Sequence, residues 1–190
     1  MNHPFSVTRL KFWPDTQSFI NDSKKDNLSP VVRLLLTSGG TLTSGLQSLF
    51  MGPVYLEMIN QIILETDRDT VQLLELKEPE KAVFREVWLL NDQKERMVYA
   101  RSFLPMISLA PFILQQLQLK SRTIGDLIDS SNLTSLKDKM TFSRVGSAPL
   151  AKAFKIPEET SMWCRHYRLF VQNHLLASIQ EIFSPAVFEA

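Results

Sequence analysis

Residues 82–105, AVFREVWLLNDQKERMVYARSFLP, constrain the fold of this chain more than any other stretch. β-Branched, aromatic and apolar residues dominate 83–90 and again 97–104, and the polar segment 91–94 separates them. Runs of this composition around a short polar segment are typical of two antiparallel strands joined by a turn. The stretch therefore predicts a β-hairpin.

Each strand of this hairpin carries an arginine in an apolar row. Successive side chains of a strand point to opposite faces, so Arg85 and Arg101 each share a face with apolar neighbours. Those neighbours are Val83, Val87 and Leu89 for the first arginine, and Met97, Tyr99 and Phe103 for the second. An unpaired guanidinium on a core-facing row is costly, so we expect an anionic group to meet it.

A second hairpin is predicted near the C-terminus, with its turn at Gln172-Asn173-His174. Its last strand places Glu181 in a row that is otherwise apolar, formed by Leu175, Ala177, Ile179 and Phe183. Two interpretations follow for the three charges on apolar rows. In the first, the charges are structural: they form a salt bridge, or the face of a strand has been misjudged. In the second, they line a buried site that binds an anion.

Composition limits the class of protein. The 190 residues, of which 44% are hydrophobic and 22% charged, predict one globular domain, with residues 1–29 less regular. A net charge of +1 gives no reason to expect nucleic acid, and the apolar runs are too short for a membrane span. One cysteine, Cys164, and the lack of an apolar signal core predict a cytoplasmic protein.

The remaining segments predict an α+β fold. Ser29-Pro30 marks a helix start, residues 54–64 are a strand candidate, and 70–76 are expected to continue the sheet. Segment 140–145 is strand-like, whereas 147–159 is expected to be irregular. We therefore expect a single antiparallel sheet of about six strands, with three or four helices concentrated on one face.

Metal, nucleotide and nucleophile chemistry have little support in the sequence. His3, His166 and His174 form no metal-ligand spacing with Cys164, and no phosphate loop or nucleophile elbow is present. The expectation is a pocket that uses no metal and no cofactor, and that handles an anion through arginine and glutamate.

Several motifs resemble, in order, those of the chorismate pyruvate-lyase family, in particular its branch from cyanobacteria and algal plastids. The matching segments are Gly40-Thr41-Leu42-Thr43, Arg85-Glu86-Val87-Trp88-Leu89, Ala100-Arg101-Ser102-Phe103-Leu104-Pro105, Thr123-Ile124-Gly125, Met162-Trp163-Cys164-Arg165 and Glu181-Ile182-Phe183-Ser184-Pro185. The resemblance implies an antiparallel sheet whose helices cover an enclosed site. It also implies the cofactor-free conversion of chorismate to 4-hydroxybenzoate and pyruvate, an early step toward quinone biosynthesis.

The resemblance also implies roles for individual residues. Arg85 would hold the ring carboxylate with help from the backbone N–H of Ile124, Glu181 would face the ring oxygen at the opposite end, and Leu42 would line a lid. Arg85 and Glu181 are thus the candidate catalytic residues. Arg101, the other arginine on an apolar row, is expected to assist substrate binding. The expected partners are substrate and product alone, bound to a monomer.

A second function stays open at this point, because ligand-binding domains of some bacterial transcription regulators have a similar fold. In that case the chain would sense an aromatic carboxylate without converting it. Such domains follow a DNA-binding helix-turn-helix, and residues 1–29 are too short and irregular to form one, which favours the lyase.

Overall fold

The sheet organises the structure, a computed structural model that describes residues 5–25, 27–109, 111–119 and 122–189. In these residues seven strands form one sheet in which every neighbouring pair is antiparallel. The strands are β1 (Thr8–Trp13), β2 (Tyr55–Glu65), β3 (Lys81–Leu90), β4 (Arg96–Pro105), β5 (Ser135–Gly146), β6 (Met162–Val171) and β7 (His174–Phe183). Their order is β1-β5-β6-β7-β4-β3-β2, so the two predicted hairpins lie side by side at the centre.

Seven α-helices connect these strands within the described residues. They are α1 (Thr16–Lys25), α2 (Pro30–Thr37), α3 (Leu42–Phe50), α4 (Arg68–Leu74), α5 (Pro111–Gln118), α6 (Ile124–Ser130) and α7 (Ala148–Phe154). Short 3-10 helices follow at Met106–Ser108 and Pro185–Phe188. No helix in the described part of the chain is long and apolar enough to cross a membrane.

Local signals explain several helix starts and turns. The Ser29 side chain accepts a hydrogen bond from the Val32 N–H, and Pro30 occupies the first helical position of α2, as predicted. Thr123 and Asp126 form a reciprocal capping box at the start of α6. The β6–β7 turn places Gln172 and Asn173 in the left-handed region, which suits the twist of a tight hairpin.

The two faces of the sheet are covered differently. One face, called here the site face, carries Arg85, Val87 and Glu181 and packs against α1, α2, α3, α5 and α6 through two buried apolar clusters. The other, the reverse face, carries Arg101 and a smaller cluster built with α7. Helices thus cover mainly one face, and the site lies under them.

The prediction of an irregular N-terminal segment is wrong. Residues Thr8–Trp13 form edge strand β1, and Thr16–Lys25 form α1. In β1, Leu10 and Phe12 alternate with Arg9 and Lys11, which is the pattern of a strand, although the first five side chains are exposed. The strand pairs with β5 at the edge of the sheet.

Two further segments differ from the prediction. Residues 70–76 do not continue the sheet, because Asp67 caps α4 by accepting a hydrogen bond from the Thr70 N–H at 2.8 Å. Segment 147–159 contains α7, capped by Ser147 and opened by a proline in its first turn. In both places a polar side chain, that of Asp67 or of Ser147, caps the start of a short helix.

Helices α3 and α6 approach closely at the edge of the site face. Thr43 Oγ1 and Thr123 Oγ1 are 2.9 Å apart, while Thr41 Oγ1 and Ser44 Oγ donate to Asp129 Oδ2 over 2.7 and 2.6 Å. Gly125 allows this approach because glycine has no Cβ. A Cβ at this position would lie only 2.8 Å from Thr43 Oγ1, which is too close unless something shifts. The requirement at this glycine is steric, since its φ is not positive.

Gly125→Ala should therefore lower the free energy of unfolding by about 1–3 kcal/mol, the usual cost of overpacking a tight contact. Gly39→Ala is the matched control, because a Cβ at Gly39 meets nothing within 4 Å. Urea unfolding of both variants measures the difference. Equal stability of the two alanine variants would contradict close packing of α3 on α6.

Candidate functional site

A cavity lies on the site face between the central strands, α3 and α6. Strands β3, β4, β6 and β7 form its floor, mostly with apolar side chains. The loop before α3 and the start of α6 form its walls. The two central hairpins thus meet the two helices around one enclosed space.

The structure brings four of the five predicted site residues together. Leu42, Arg85, Ile124 and Glu181 all line this cavity. Arg101 does not, because its neighbours Ala100 and Ser102 point into the cavity and Arg101 points to the reverse face. The expectation that both arginines serve one site is therefore corrected: Arg101 lines a separate pocket.

Arg85 is a buried cation with little compensation from the protein. It is 2% exposed, its Nη2 donates to the Arg122 carbonyl over 3.2 Å, and its buried Nε has no partner in the described residues. No carboxylate of those residues pairs with it. Burial lowers the pKa of Arg85 to about 10, so the desolvation is not offset by a neighbouring negative charge.

Glu181 has a protein partner instead. Its Oε2 forms an ion pair with Arg165 Nε, and its Oε1 accepts a hydrogen bond from the Tyr167 hydroxyl at 3.0 Å. Of the interpretations left open by the sequence, the structural salt bridge applies to Glu181. For Arg85, the anion-site interpretation stays a prediction.

Arg165 is a structural part of the site that the sequence analysis missed. It is fully buried and donates from Nη1 to the carbonyls of Leu35 and Leu36, at 2.6 and 3.1 Å, near the end of α2. Burial is the largest single influence and alone would lower the pKa of Arg165, but the Glu181 charge, Tyr167 and the hydrogen bonds with both residues together raise that pKa. A sequence signal existed, since Arg165 alternates with Trp163, Tyr167 and Leu169 as Arg85 does with its own apolar row.

Lys137 is a second cation on the cavity wall. Its Nζ donates to the carbonyls of Ser38 and Gly40 at 3.1 and 2.5 Å and lies 4.8 Å from the centre of the Tyr167 ring. Burial, followed by the charge of Arg165, lowers the pKa of Lys137 to about 8. The sequence around it, Leu136-Lys137-Asp138, carries no signal that marks this lysine.

The described residues form neither a metal-binding cluster nor a reactive thiolate. Within the described ranges, no three His, Cys, Asp or Glu side chains come together to hold a metal ion. Cys164 is buried, and burial raises the pKa of its thiol to about 12, which disfavours the reactive thiolate. The groups available at the cavity are cations, one carboxylate and hydroxyls.

The fold and cavity define a class of α+β domain in which helices cover a cavity on one face of an antiparallel sheet. Solved structures share the fold: PhnF from Mycobacterium smegmatis has a TM-score of 0.62 at 11% identity, with 95% of this chain and 90% of that chain covered. A GntR-family transcriptional regulator from Bacillus cereus has a TM-score of 0.53 at 10% identity, covering 72% of this chain and 95% of that one. At such low identities the likeness shows the fold alone.

The sequence assigns the chain within this class. It belongs to the family described as chorismate pyruvate-lyase Rv2949c-like, whose match covers residues 36–190. The ycf21 protein of Pyropia yezoensis is 31% identical over 107 residues, a match that spans 56% of this chain and 58% of that relative. The family resemblance found in the motifs is thereby confirmed.

The pKa of Lys137 predicts a measurable pH dependence of stability. Its folded value is about 8, below the value of about 10.4 for an unfolded lysine. Between these values the unfolded state binds more protons, so stability attributable to Lys137 should rise with pH. Urea unfolding at several pH values should therefore show the wild type gaining stability relative to Lys137→Met above pH 8.

Lys81→Met, at an exposed position at the start of β3, controls for the loss of one positive charge. A constant stability difference between the wild type and Lys137→Met from pH 7 to pH 10 would show that Lys137 is not desolvated as described.

Proposed function

We propose that this protein is a chorismate pyruvate-lyase that releases 4-hydroxybenzoate and pyruvate without metal or cofactor. Family membership over residues 36–190 supports the reaction class. The observation that carries the proposal is Arg85, a buried guanidinium in an enclosed cavity without a carboxylate partner in the described residues. A carboxylate of the ligand is the group that such a cation needs.

Two cations on the cavity wall match the two carboxylates of chorismate. Arg85 binds the ring carboxylate, because a guanidinium presents paired donors that suit carboxylate geometry. The backbone N–H of Ile124, which lines the same cavity, adds the donor that the family resemblance implies. Lys137, which lines the same cavity, binds the carboxylate of the enolpyruvyl group.

Glu181 lies at the other end of the bound ring. It is in register with Ala100 on β4, whereas Arg85 is on β3, two strands from β7. Two strand spacings amount to about 10 Å, a span that side chains at both ends and an aromatic ring between them can fill. Because an ionised carboxylate only accepts hydrogen bonds, Glu181 either accepts a hydrogen bond from the ring hydroxyl or takes up a ring proton.

The reaction needs few groups from the protein. The proton on the ring carbon that bears the hydroxyl leaves, and its electron pair forms the last double bond of the aromatic ring. The ether bond to the neighbouring ring carbon breaks, and enolpyruvate departs with the electron pair of that ether bond. Glu181 takes up the ring proton and returns it to the methylene carbon of enolpyruvate, which becomes pyruvate, so the carboxylate is again ionised beside Arg165. Orientation, exclusion of water and the Lys137 charge on the departing group complete the catalysis.

The alternative is a domain that binds the aromatic carboxylate without converting it. The effector domain of PhnF from Mycobacterium smegmatis has this fold, with a TM-score of 0.58 at 12% identity. Fold alone does not decide between these functions. The family match and the groups that line the cavity favour the lyase over a binding domain.

Turnover separates the two functions directly. Purified protein incubated with chorismate should release pyruvate, measured by coupled reduction with lactate dehydrogenase, and the rate should survive EDTA. Protein that binds 4-hydroxybenzoate but releases no pyruvate would instead be a binding domain. Loss of turnover in EDTA, restored by a divalent ion, would contradict the metal-free mechanism.

Arg85→Met should lower affinity for 4-hydroxybenzoate by about 2–4 kcal/mol, or about thirty- to a thousand-fold, because a desolvated charge contact is lost. The melting temperature without ligand should stay the same or rise, since methionine removes a buried cation that no carboxylate compensates. Calorimetric titration with 4-hydroxybenzoate and thermal melts measure the two effects.

Arg101→Met is the matched control, because it removes the same group from the adjacent strand but from the reverse face. It should bind 4-hydroxybenzoate as the wild type does. If Arg101→Met loses this affinity and Arg85→Met keeps it, the assignment of the ligand cavity is wrong.

A further inference from the structure

A row of polar side chains crosses the reverse face of the sheet. Thr141 on β5, His166 on β6, Gln180 on β7 and Arg101 on β4 are direct neighbours in register. Neighbouring strands are about 4.8 Å apart, so these four side chains form one continuous band. A polar band across the middle of a sheet does not pack favourably against an apolar helix.

The helices of the reverse face leave this band open. Helix α7 packs at one end, where Leu150 joins a buried cluster with Trp88 and Ile182. Helix α4 approaches β7 at the other side, where it contributes Leu73 to the rim. Between them is a pocket of about 600 Å³, counted out to its opening, whose lining includes the band and Arg9 of β1.

The two arginines of this pocket have no acidic partner in the described ranges. Arg101 forms no hydrogen bond or ion pair there, and the Arg9 guanidinium lies over the Phe12 ring, 4.5 Å from its centre. The neighbouring Arg168 differs, because it pairs with both Asp138 and Glu75. A structural arginine on this face is thus neutralised by carboxylates, whereas Arg9 and Arg101 are not.

Glu86 lies opposite Arg101 in register. Its Oε1 accepts a hydrogen bond from the Tyr99 hydroxyl at 2.5 Å. The guanidinium groups of Arg101 and Arg9 keep donors for another anion.

Neutral polar groups complete the pocket. His166 Nε2 lies 2.7 Å from Ser178 Oγ, and the buried Gln180 Oε1 has no hydrogen-bond partner in the described residues. Burial first, and then the charges of Arg101 and Arg9, lower the pKa of His166 to about 4. Since both arginines act on this one ring, their positive charge converges on the pocket.

We propose that this reverse-face pocket is a second binding site, in which Arg101 binds a small oxyanion, a carboxylate or a phosphate, and Arg9 adds positive charge at the pocket lining. The site is distinct from the cavity that contains Arg85, because the two open on opposite faces of the same strands. Paired guanidinium donors and nearby neutral hydroxyls are the groups that bind such anions in proteins.

The ring signals of His166 report on this pocket in an NMR titration of the full chain. They are assigned with His166→Gln, and the titration is made at pH 7 and constant ionic strength with inorganic phosphate and, separately, with acetate. One of the two anions should shift the His166 signals saturably. Arg101→Met should weaken that binding at least about tenfold, the effect expected for loss of a charged bidentate contact, while Arg85→Met should leave it unchanged.

The anion that shifts the His166 signals saturably shows whether the site takes a phosphate or a carboxylate. A saturable shift with either anion supports the site. Absence of a saturable shift with both anions would overturn the proposal, as would unchanged affinity in Arg101→Met. If Arg101→Met does not fold, Arg9→Met provides the same comparison from an exposed position. Failure of the lyase assay would not affect this result, because the two measurements use different arginines and different ligands.

Discussion

The buried ion pair between Arg165 and Glu181 is the interaction on which the site depends most. The two residues lie directly opposite each other on β6 and β7, and Arg165 also donates to two carbonyls near the end of α2. Loss of either charge would leave the other buried without compensation, at a cost of about 3–5 kcal/mol. The pair therefore fixes the carboxylate and, at the same time, holds α2 over the cavity.

Arg85 shows what a buried arginine without such a partner implies. Both arginines are almost completely buried on the site face, but only Arg165 meets a carboxylate. An uncompensated cation lowers the stability of the free protein, so its presence in a cavity is best explained by a ligand that supplies the negative charge. This contrast supports a carboxylate ligand more directly than the fold does.

The fold is shared with transcription regulators, so side chains rather than architecture distinguish the possible functions. The strands of this sheet present different chemistry on their two faces. Ala100 lines the cavity on the site face, and the next residue, Arg101, lines the pocket on the reverse face. Because side chains alternate along each strand, one sheet presents different side chains to these two pockets.

The sequence by itself determined the central hairpins, the capped start of α2 and the presence of charges in apolar rows. These features depend on neighbours along the chain: alternation, turn residues and a cap at Ser29. It failed for β1, although Leu10 and Phe12 alternate with Arg9 and Lys11 there, and for residues 70–76, most of which belong to the short helix α4. Elements of six and seven residues repeat their pattern only two or three times, so the local pattern alone is a weak signal.

Only the tertiary structure decided which charges meet. Both faces of this sheet bury apolar side chains, so an apolar row could not show that Arg85 and Arg101 point to opposite sides. The partner of Glu181 depended on strand order and register, which place Arg165 beside it and Arg85 two strands away. Alternation along one strand sets which residues share a face, but pairing between distant strands sets what that face contains.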